Sequence, residues 1–211
     1  MAKLYFRYGA MNSGKTTALL QVAFNYNERG MRVLILKPAV DTKGGDQLVS
    51  RLGVGCRVDA LVTPDRDVFT LVEADRNNHG PLACVLCDES QFFTPEQVEQ
   101  LFRVTVDLSI PVICYGLRAD FMMKGFPGST RLLELAHTIE EMKTICACGR
   151  KATCNGRKVN GQFVFEGEQI AIDTVDHVEY ESLCPQCWYR EYRAFLKRRG
   201  GTSAPAPGPQ A

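Results

Sequence analysis

The sequence predicts an α/β fold: a largely parallel sheet flanked by helices, followed by a small cysteine-bearing β unit. Three observations carry the prediction. A strand, a glycine loop and a helix succeed one another between Lys3 and Arg29. Apolar runs then alternate with helical patterns as far as Ile145, as in a parallel sheet covered on both faces. Beyond Ile145, cysteines and short β-like pieces replace the long helical patterns.

The first element is a β-prone run, Lys3–Tyr8 (KLYFRY), which leads into Gly9–Thr16 (GAMNSGKT). That segment fits the phosphate-binding pattern G-x-x-x-x-G-K-[ST] at every fixed position. The glycines let the backbone curl so that several N–H groups face one concavity, a nest for anionic oxygens. Gly9, Ala10, Met11, Asn12, Ser13 and Gly14 form the expected cradle. Lys15 adds a point charge at the outer phosphates, and the Thr16 hydroxyl is a ligand for Mg²⁺. Thr17–Arg29 is helix-like and ends at Gly30, so a positive helix N-terminus faces the same phosphates. Strand, loop and helix are the setting the motif requires, and together they predict a nucleotide site.

Arg32–Lys37 (RVLILK) is a buried-strand candidate, and Cys56–Val62 is a weaker one. Asp67–Arg76 reads as a short helix, and Ala83–Cys87 (ACVLC) as an apolar strand ending in Asp88. Thr94 caps the next helix, with Pro95 at its first position and Gln97 completing a capping box. Val98, Leu101, Phe102 and Leu108 recur there at helical spacing. Ile110–Leu117 is a further strand, Ser129–Ala136 a helix, and Thr138–Ile145 an amphipathic strand. The order of the strands does not follow from the sequence. In such sheets ligands sit beyond the carboxyl ends of the strands, so Gly9, Asp88 and Leu117 are expected at one cleft. Further on, Val159–Gln162 (VNGQ) carries the signal of a two-residue hairpin turn. The resulting divisions are a nucleotide-binding unit over 1–145, a cysteine-bearing unit over 146–187, a basic terminal helix over 188–199, and a tail over 200–211 too poor in apolar residues to fold.

Composition narrows the class. With 45% apolar and 23% charged residues, the 211-residue chain has the make-up of an ordinary globule. Lys+Arg number 25 against 24 Asp+Glu, so the balance demands neither nucleic acid nor membrane as a partner. The first strand runs from Lys3 straight into the phosphate loop, which leaves no room for a signal peptide, and no apolar stretch reaches the length of a membrane span. A cytoplasmic setting is expected. Nine cysteines is a high number there, and it points to metal binding rather than disulfides.

Val85–Glu89 is an apolar strand ending in two carboxylates. Asp88, at the tip, suits Mg²⁺ held through water and joins the nucleotide-binding set, as does Gln91. Glu89 is then free to accept a proton from an attacking hydroxyl or to orient an attacking water. Phe92 lines the same cleft. Cys146, Cys148, Cys184 and Cys187 form C-x-C…C-P-Q-C, two close pairs of thiolates suited to tetrahedral Zn²⁺ with no open coordination position, hence a structural role. The first pair is one residue tighter than usual, and Gly149 can supply the turn it needs. Cys154 lies near enough to substitute as a ligand, and reduced core thiols are the competing reading. Cys84, Cys87 and Cys114 fall in apolar strands and are expected in the core; Cys56 is unassigned.

GAMNSGKT, then Asp88-Glu89-Ser90-Gln91-Phe92, then Tyr115-Gly116-Leu117 leading to Phe121 and Phe126, then the cysteine pairs, resemble in the same order the cellular-type (type II) thymidine kinases. The similarity runs from about Lys3 to Tyr189. The resemblance implies transfer of the ATP γ-phosphate to the 5′-hydroxyl of thymidine, ATP with Mg²⁺ and structural Zn²⁺ as cofactors, a homotetramer, and feedback inhibition by thymidine triphosphate. It implies Glu89 as catalytic base, and Met11, Leu117 and Tyr180 as walls around the thymine methyl group. Phe121 and Phe126 become base-packing residues. Ile170, Ala171, Ile172 and Asp173 resemble the family's zinc-anchored lasso, whose backbone bonds the base edge over the nucleoside. Asp173-Thr174 stand where the family often has a glycine pair, and the stretch to Glu179 is longer. Lys43 or Arg51 is a further candidate to neutralise phosphate charge.

A second class of function shares the loop and the acidic pair: an ATPase of the recombinase type, in which Glu89 activates water and the terminal helix touches nucleic acid. The two differ in what lies opposite the phosphates. Phe92, Phe121, Phe126 and Tyr180 can supply a small aromatic pocket, whereas Arg190, Arg193, Lys197, Arg198 and Arg199 are the one dense basic group. A solvated helix end accounts for that group equally well, and the kinase is the favoured reading.

Overall fold

The computed structural model describes residues 1–41, 45–50, 53–169 and 177–200. Strand β1 (Leu4–Tyr8) leads through the glycine loop into α1 (Lys15–Asn27), then β2 (Val33–Pro38). Three short strands follow, β3 (Gln47–Val49), β4 (Gly55–Arg57) and β5 (Ala60–Val62), then α2 (Val68–His79), β6 (Cys84–Cys87), a single 3₁₀ turn over Ser90–Phe92, and α3 (Pro95–Asp107). Next come β7 (Val112–Gly116), α4 (Pro127–Leu135), β8 (Thr138–Glu141) and the paired β9 (Thr144–Ile145) and β10 (Lys151–Ala152). The chain closes with β11 (Cys154–Val159), β12 (Gln162–Val164), β13 (Val178–Leu183) and α5 (Pro185–Arg198).

Six strands form one parallel sheet in the order β5-β2-β6-β7-β1-β8. Alternate residues of its strands enter different cores. Leu34, Leu36, Val85, Cys87, Val112 and Cys114 pack with α2, α3 and α4 through Val68, Val98, Leu101 and Leu132. Val33, Ile35, Cys84, Leu86, Ile113 and Tyr115 face the opposite side, where α1 contributes Leu19, Leu20 and Ala23. Burial on both faces explains why these strands read as unbroken apolar runs rather than alternating ones. Cys84, Cys87 and Cys114 are fully buried, as expected of small core residues.

The capping box on α3 is present: Thr94 Oγ1 accepts from the Gln97 N–H at 3.2 Å, and Gln97 Oε1 accepts from the Thr94 N–H at 3.1 Å. Asp67 caps α2 by accepting from the Thr70 N–H at 2.7 Å. Two expected strands are divided. Cys56–Val62 splits because Asp59 turns its carboxylate onto the Ile35 N–H at 2.7 Å; β4 pairs antiparallel with β3, while β5 becomes an edge of the main sheet. Thr138–Ile145 splits after the Met142 N–H makes its ladder bond to the Tyr8 carbonyl at 2.7 Å; β9 then starts a new sheet with β10.

After that break lies a three-stranded antiparallel sheet, β12-β11-β13, with the Asn160-Gly161 turn joining β11 and β12. Its core holds Phe165, Leu183, Trp188, Phe195 and three of the paired cysteines. Helix α5 begins at Pro185 rather than at Trp188, because Cys184 caps it and Pro185 takes its first position. Among the described residues no helix is long and apolar enough to cross a membrane.

Candidate active site

The carboxyl ends of β1, β2 and β6 open into a cavity of about 670 Å³. Met11 to Thr16 form one wall, Lys37 and Asp41 stand beside them, Leu48 to Ser50 form a flap-like edge, and Asp88 and Glu89 lie opposite. The loop approaches the sheet closely. The Gly9 N–H donates to the Gly116 carbonyl at 3.2 Å, and a Cβ on Gly9 would stand 2.6 Å from the Met142 carbonyl oxygen and against Ser13 Oγ, so this position tolerates no side chain. Helix α1 has no side-chain cap at Gly14, which leaves its first N–H groups directed at the cavity. Lys15 is buried and folds back over the loop, donating to the Ala10 carbonyl at 3.0 Å.

Asp88 is 2% exposed. Its Oδ2 accepts from Thr16 Oγ1 at 3.1 Å, whereas its Oδ1 has no hydrogen-bond partner among the described residues. An unsatisfied carboxylate oxygen at this depth is costly unless something else completes it. Paired with a threonine hydroxyl, it is the hard-oxygen donor set that suits Mg²⁺. Burial, and after it the negative charge of Glu89, push the Asp88 carboxyl up to about 7; the Glu89 N–H, Thr16 and Lys15 oppose the rise. Free aspartate titrates near 3.8, so between these values the folded chain holds a proton that the unfolded chain releases. The metal-free protein is therefore expected to lose stability as pH rises from about 4 to about 7. Asp88→Asn should flatten that slope in urea titrations run across the window; equal slopes in both proteins would refute the assignment.

Glu89 adopts the left-handed region, φ 46 and ψ 39, unusual for a non-glycine residue and a form of strain concentrated at functional sites. Its Oε2 accepts from Gln91 Nε2 at 2.6 Å. Gln91 is buried, and its Oε1 accepts from the Leu117 N–H at 3.0 Å. One amide thus ties the acidic residue to the carboxyl end of β7, and Gln91, expected in the nucleotide-binding set, is buried outside the cavity's lining as a support for Glu89.

The aromatic residues gather beside this, between the loop after β7 and the antiparallel sheet. Phe92 meets Phe126 edge-on at 5.6 Å. Phe121 lies under the Arg157 guanidinium, 3.8 Å from its ring centre. Arg157 Nε donates to the Tyr180 hydroxyl at 3.1 Å, and its two amino groups donate to the carbonyls of Glu168 and Gln169 at 2.7 and 2.9 Å. Leu117 and Phe126 are buried nearby. Ile170, Ala171, Ile172, Asp173, Thr174, Lys43 and Arg51, with the tail from 201 onward, lie outside the described residues.

The sulfurs of Cys146, Cys148, Cys184 and Cys187 all lie within 4.8 Å of one another. Tetrahedral Zn²⁺ with Zn–S of about 2.3 Å sets neighbouring sulfurs about 3.8 Å apart, so the four-thiol set is compatible with zinc. The tight first pair closes through Gly149, at φ 84, whose N–H donates to the Cys146 carbonyl at 2.8 Å. Cys154 is outside the cluster, with its thiol against Met123 Sδ at 3.8 Å.

Sequence reasoning missed several residues. Lys37, buried at the end of β2 and paired with Asp41 at 3.0 Å, puts a second ammonium at the cavity; its signal was a lysine closing an otherwise apolar strand. Asn155, Arg157 and Ser182, all buried, carried no local signal.

Comparison with known proteins was consistent across the chain. The family model for thymidine kinase matches residues 2–188. A thymidine kinase of Ruegeria pomeroyi is 49% identical over 190 residues, covering 89% of this chain and 94% of its own length. Those of Francisella tularensis subsp. tularensis and Rhodopirellula baltica are 45% and 47% identical over 194 and 186 residues, covering 89% and 87% of this chain and 97% and 86% of their own.

Proposed function

The chain belongs to the thymidine kinase family, whose members are ATP-dependent phosphotransferases, and from that premise we propose that it moves the γ-phosphate of ATP to the 5′-hydroxyl of thymidine, giving thymidine monophosphate for DNA synthesis. The observation that carries the assignment of roles is that Glu89 and the phosphate loop line one cavity. Phosphoryl transfer has a loose transition state, so positioning and charge neutralisation supply most of the catalysis. The Gly9 and Met11 N–H groups are spent on Gly116 and Asn155, so the expected cradle narrows to the other loop amides, which with the charges of Lys15 and Lys37 address the phosphates. Thr16 and Asp88 would hold Mg²⁺, which when bound neutralises charge on the phosphate oxygens. Glu89 receives the hydroxyl proton as transfer proceeds, and Gln91 holds it in place.

Thymidine lies against Met11, Phe92, Leu117, Phe121, Phe126 and Tyr180, and the family resemblance assigns base contacts to Ile170, Ala171, Ile172 and Asp173, which lie outside the described residues. Water must be excluded or ATP is hydrolysed, which is the use of a cover anchored by the cysteine-bearing unit over 146–187. Zn²⁺ on the four cysteines would fix that unit. A homotetramer, inhibition by thymidine triphosphate and a cytoplasmic location complete the reading. They are supported by the family alone.

A nucleoside panel assayed with ATP and Mg²⁺ tests the proposal, with thymidine the expected best substrate. ATP turnover stimulated by DNA without any nucleoside phosphorylation would reverse it. Deoxyuridine differs by one methyl group, worth about 1–3 kcal/mol in an apolar pocket. It should be phosphorylated with kcat/KM about 10–200-fold lower, and a complete lack of product at high concentration would contradict a methyl-sized pocket.

A further inference from the structure

Met11 occupies the middle of the phosphate loop, yet its peptide groups are not turned to the cavity. Its N–H donates to Asn155 Oδ1 at 2.8 Å, and its carbonyl accepts from the Ser182 hydroxyl. Asn155 on β11 and Ser182 on β13 are direct cross-strand partners, so both side chains leave one face of the antiparallel sheet side by side. Each is 5% exposed. Together they satisfy both backbone groups of a residue more than a hundred positions away, as a neighbouring strand would. The Asn155 amide can stand only one way round, because its Nδ2 donates to the Ala119 carbonyl at 2.8 Å; a flip would set donor against donor at Met11 and acceptor against acceptor at Ala119. Ser182 is followed by Leu183 and then by Cys184 of the four-cysteine cluster.

We infer that Asn155 and Ser182 are positioning residues that set the conformation of the phosphate loop from the cysteine-anchored sheet, so that this sheet, and not the loop sequence alone, fixes the affinity for ATP. The inference rests on reading Gly9–Thr16 as the ATP site. Loop N–H groups bind phosphate well only when their directions are fixed beforehand. Holding Met11 by both peptide groups removes the rotations that would let the cradle collapse when no nucleotide is bound. Neither side chain lines the ATP cavity, so an effect on ATP common to both positions points to Met11, the residue that both hold.

The test compares Asn155→Ala, Ser182→Ala, the double variant, Ser182→Thr and Lys15→Ala, with ATP affinity measured by equilibrium titration and stability by thermal denaturation. Each alanine variant should weaken ATP binding about fivefold to twentyfold, the range for a lost buried hydrogen bond, raise KM for ATP similarly and leave kcat within about twofold. Because both act on one residue, the double variant should fall short of the product of the singles. Ser182→Thr keeps the hydroxyl and should restore affinity. Asn155→Ser, whose shorter side chain is withdrawn from Met11 without burying a charge, serves if Asn155→Ala fails to fold, and should weaken ATP binding to a similar degree. Unchanged ATP affinity in well-folded alanine variants, with only melting temperature lowered, overturns the inference while Lys15→Ala still abolishes binding. Normal ATP binding by Lys15→Ala would instead overturn the reading of the loop.

Discussion

Replacing Glu89 with glutamine is expected to lower kcat by about 10²–10⁴-fold, the usual worth of a positioned general base, with the ATP dissociation constant nearly unchanged. Glutamine has the same shape, and its amide oxygen can accept the bond that Gln91 Nε2 now gives to Glu89 Oε2. Geometry is thereby kept and basicity removed. The loop is held by hydrogen bonds to Gly116, Thr144, Asn155, Ser182 and Asp88, which the substitution leaves in place, so the nucleotide cradle should survive. A second readout follows from electrostatics. The Glu89 charge is one of the causes holding the Asp88 carboxyl high, so the variant's Asp88 should titrate lower and its stability should fall with pH over a narrower, more acidic window. Single-turnover rates measured at saturating ATP and thymidine, with urea midpoints across pH, check both halves. A fully active variant would remove Glu89 from the chemistry.

What was legible in the sequence was what is encoded locally. GAMNSGKT specifies a turn, a charge and a helix start within eight neighbours, and the Thr94–Gln97 box needs only four. That the loop after β1 and the acidic pair after β6 would share one cavity also followed, because each ends an apolar run and parallel strands end on one side; Gly9 and Leu117 are not in its lining. Strand order did not follow, since it depends on which face each helix covers. The division of Thr138–Ile145 was hidden because β8 and β9 have the same local character and part company only through their partners, Tyr8 on one side and β10 on the other. The start of α5 fell three residues late because Cys184–Cys187 were assigned to the cysteine-bearing unit, although a proline after a capping residue is itself a helix start. Asn155 and Ser182 were invisible for a different reason. Each bonds to Met11 across a separation that no spacing rule spans, and a buried asparagine declares its purpose only when its partners are seen.

Chelating the metal from zinc-loaded protein is expected to abolish measurable thymidine binding and to expose Trp188. The cysteine-bearing unit has a small core, chiefly Phe165, Leu183, Trp188 and Phe195. Small units of this kind commonly take their folding energy from the metal, about 10–16 kcal/mol in zinc-finger peptides. Unbound, the four clustered thiols themselves join β9 and β10 to the start of α5 only by weak sulfur contacts such as Cys148 to Cys184 at 3.6 Å, which leaves the Thr153 N–H bond to the Leu183 carbonyl and the β11–β13 ladder to hold the two together. Trp188 sits in the first turn after Cys187 and donates its indole N–H to the Phe121 carbonyl at 2.9 Å, while Phe121 carries the Arg157 guanidinium that orients Tyr180 and the carbonyls of Glu168 and Gln169. Loss of the cysteine anchor therefore reaches the proposed nucleoside walls through two contacts. Trp188 is the sole tryptophan of the chain and 4% exposed, so its emission should shift to the red in step with loss of thymidine binding, and both should return when Zn²⁺ is restored. Calorimetric titration of thymidine into the chelated protein decides the matter: normal affinity with a buried tryptophan would mean that the four cysteines do not hold the nucleoside site together.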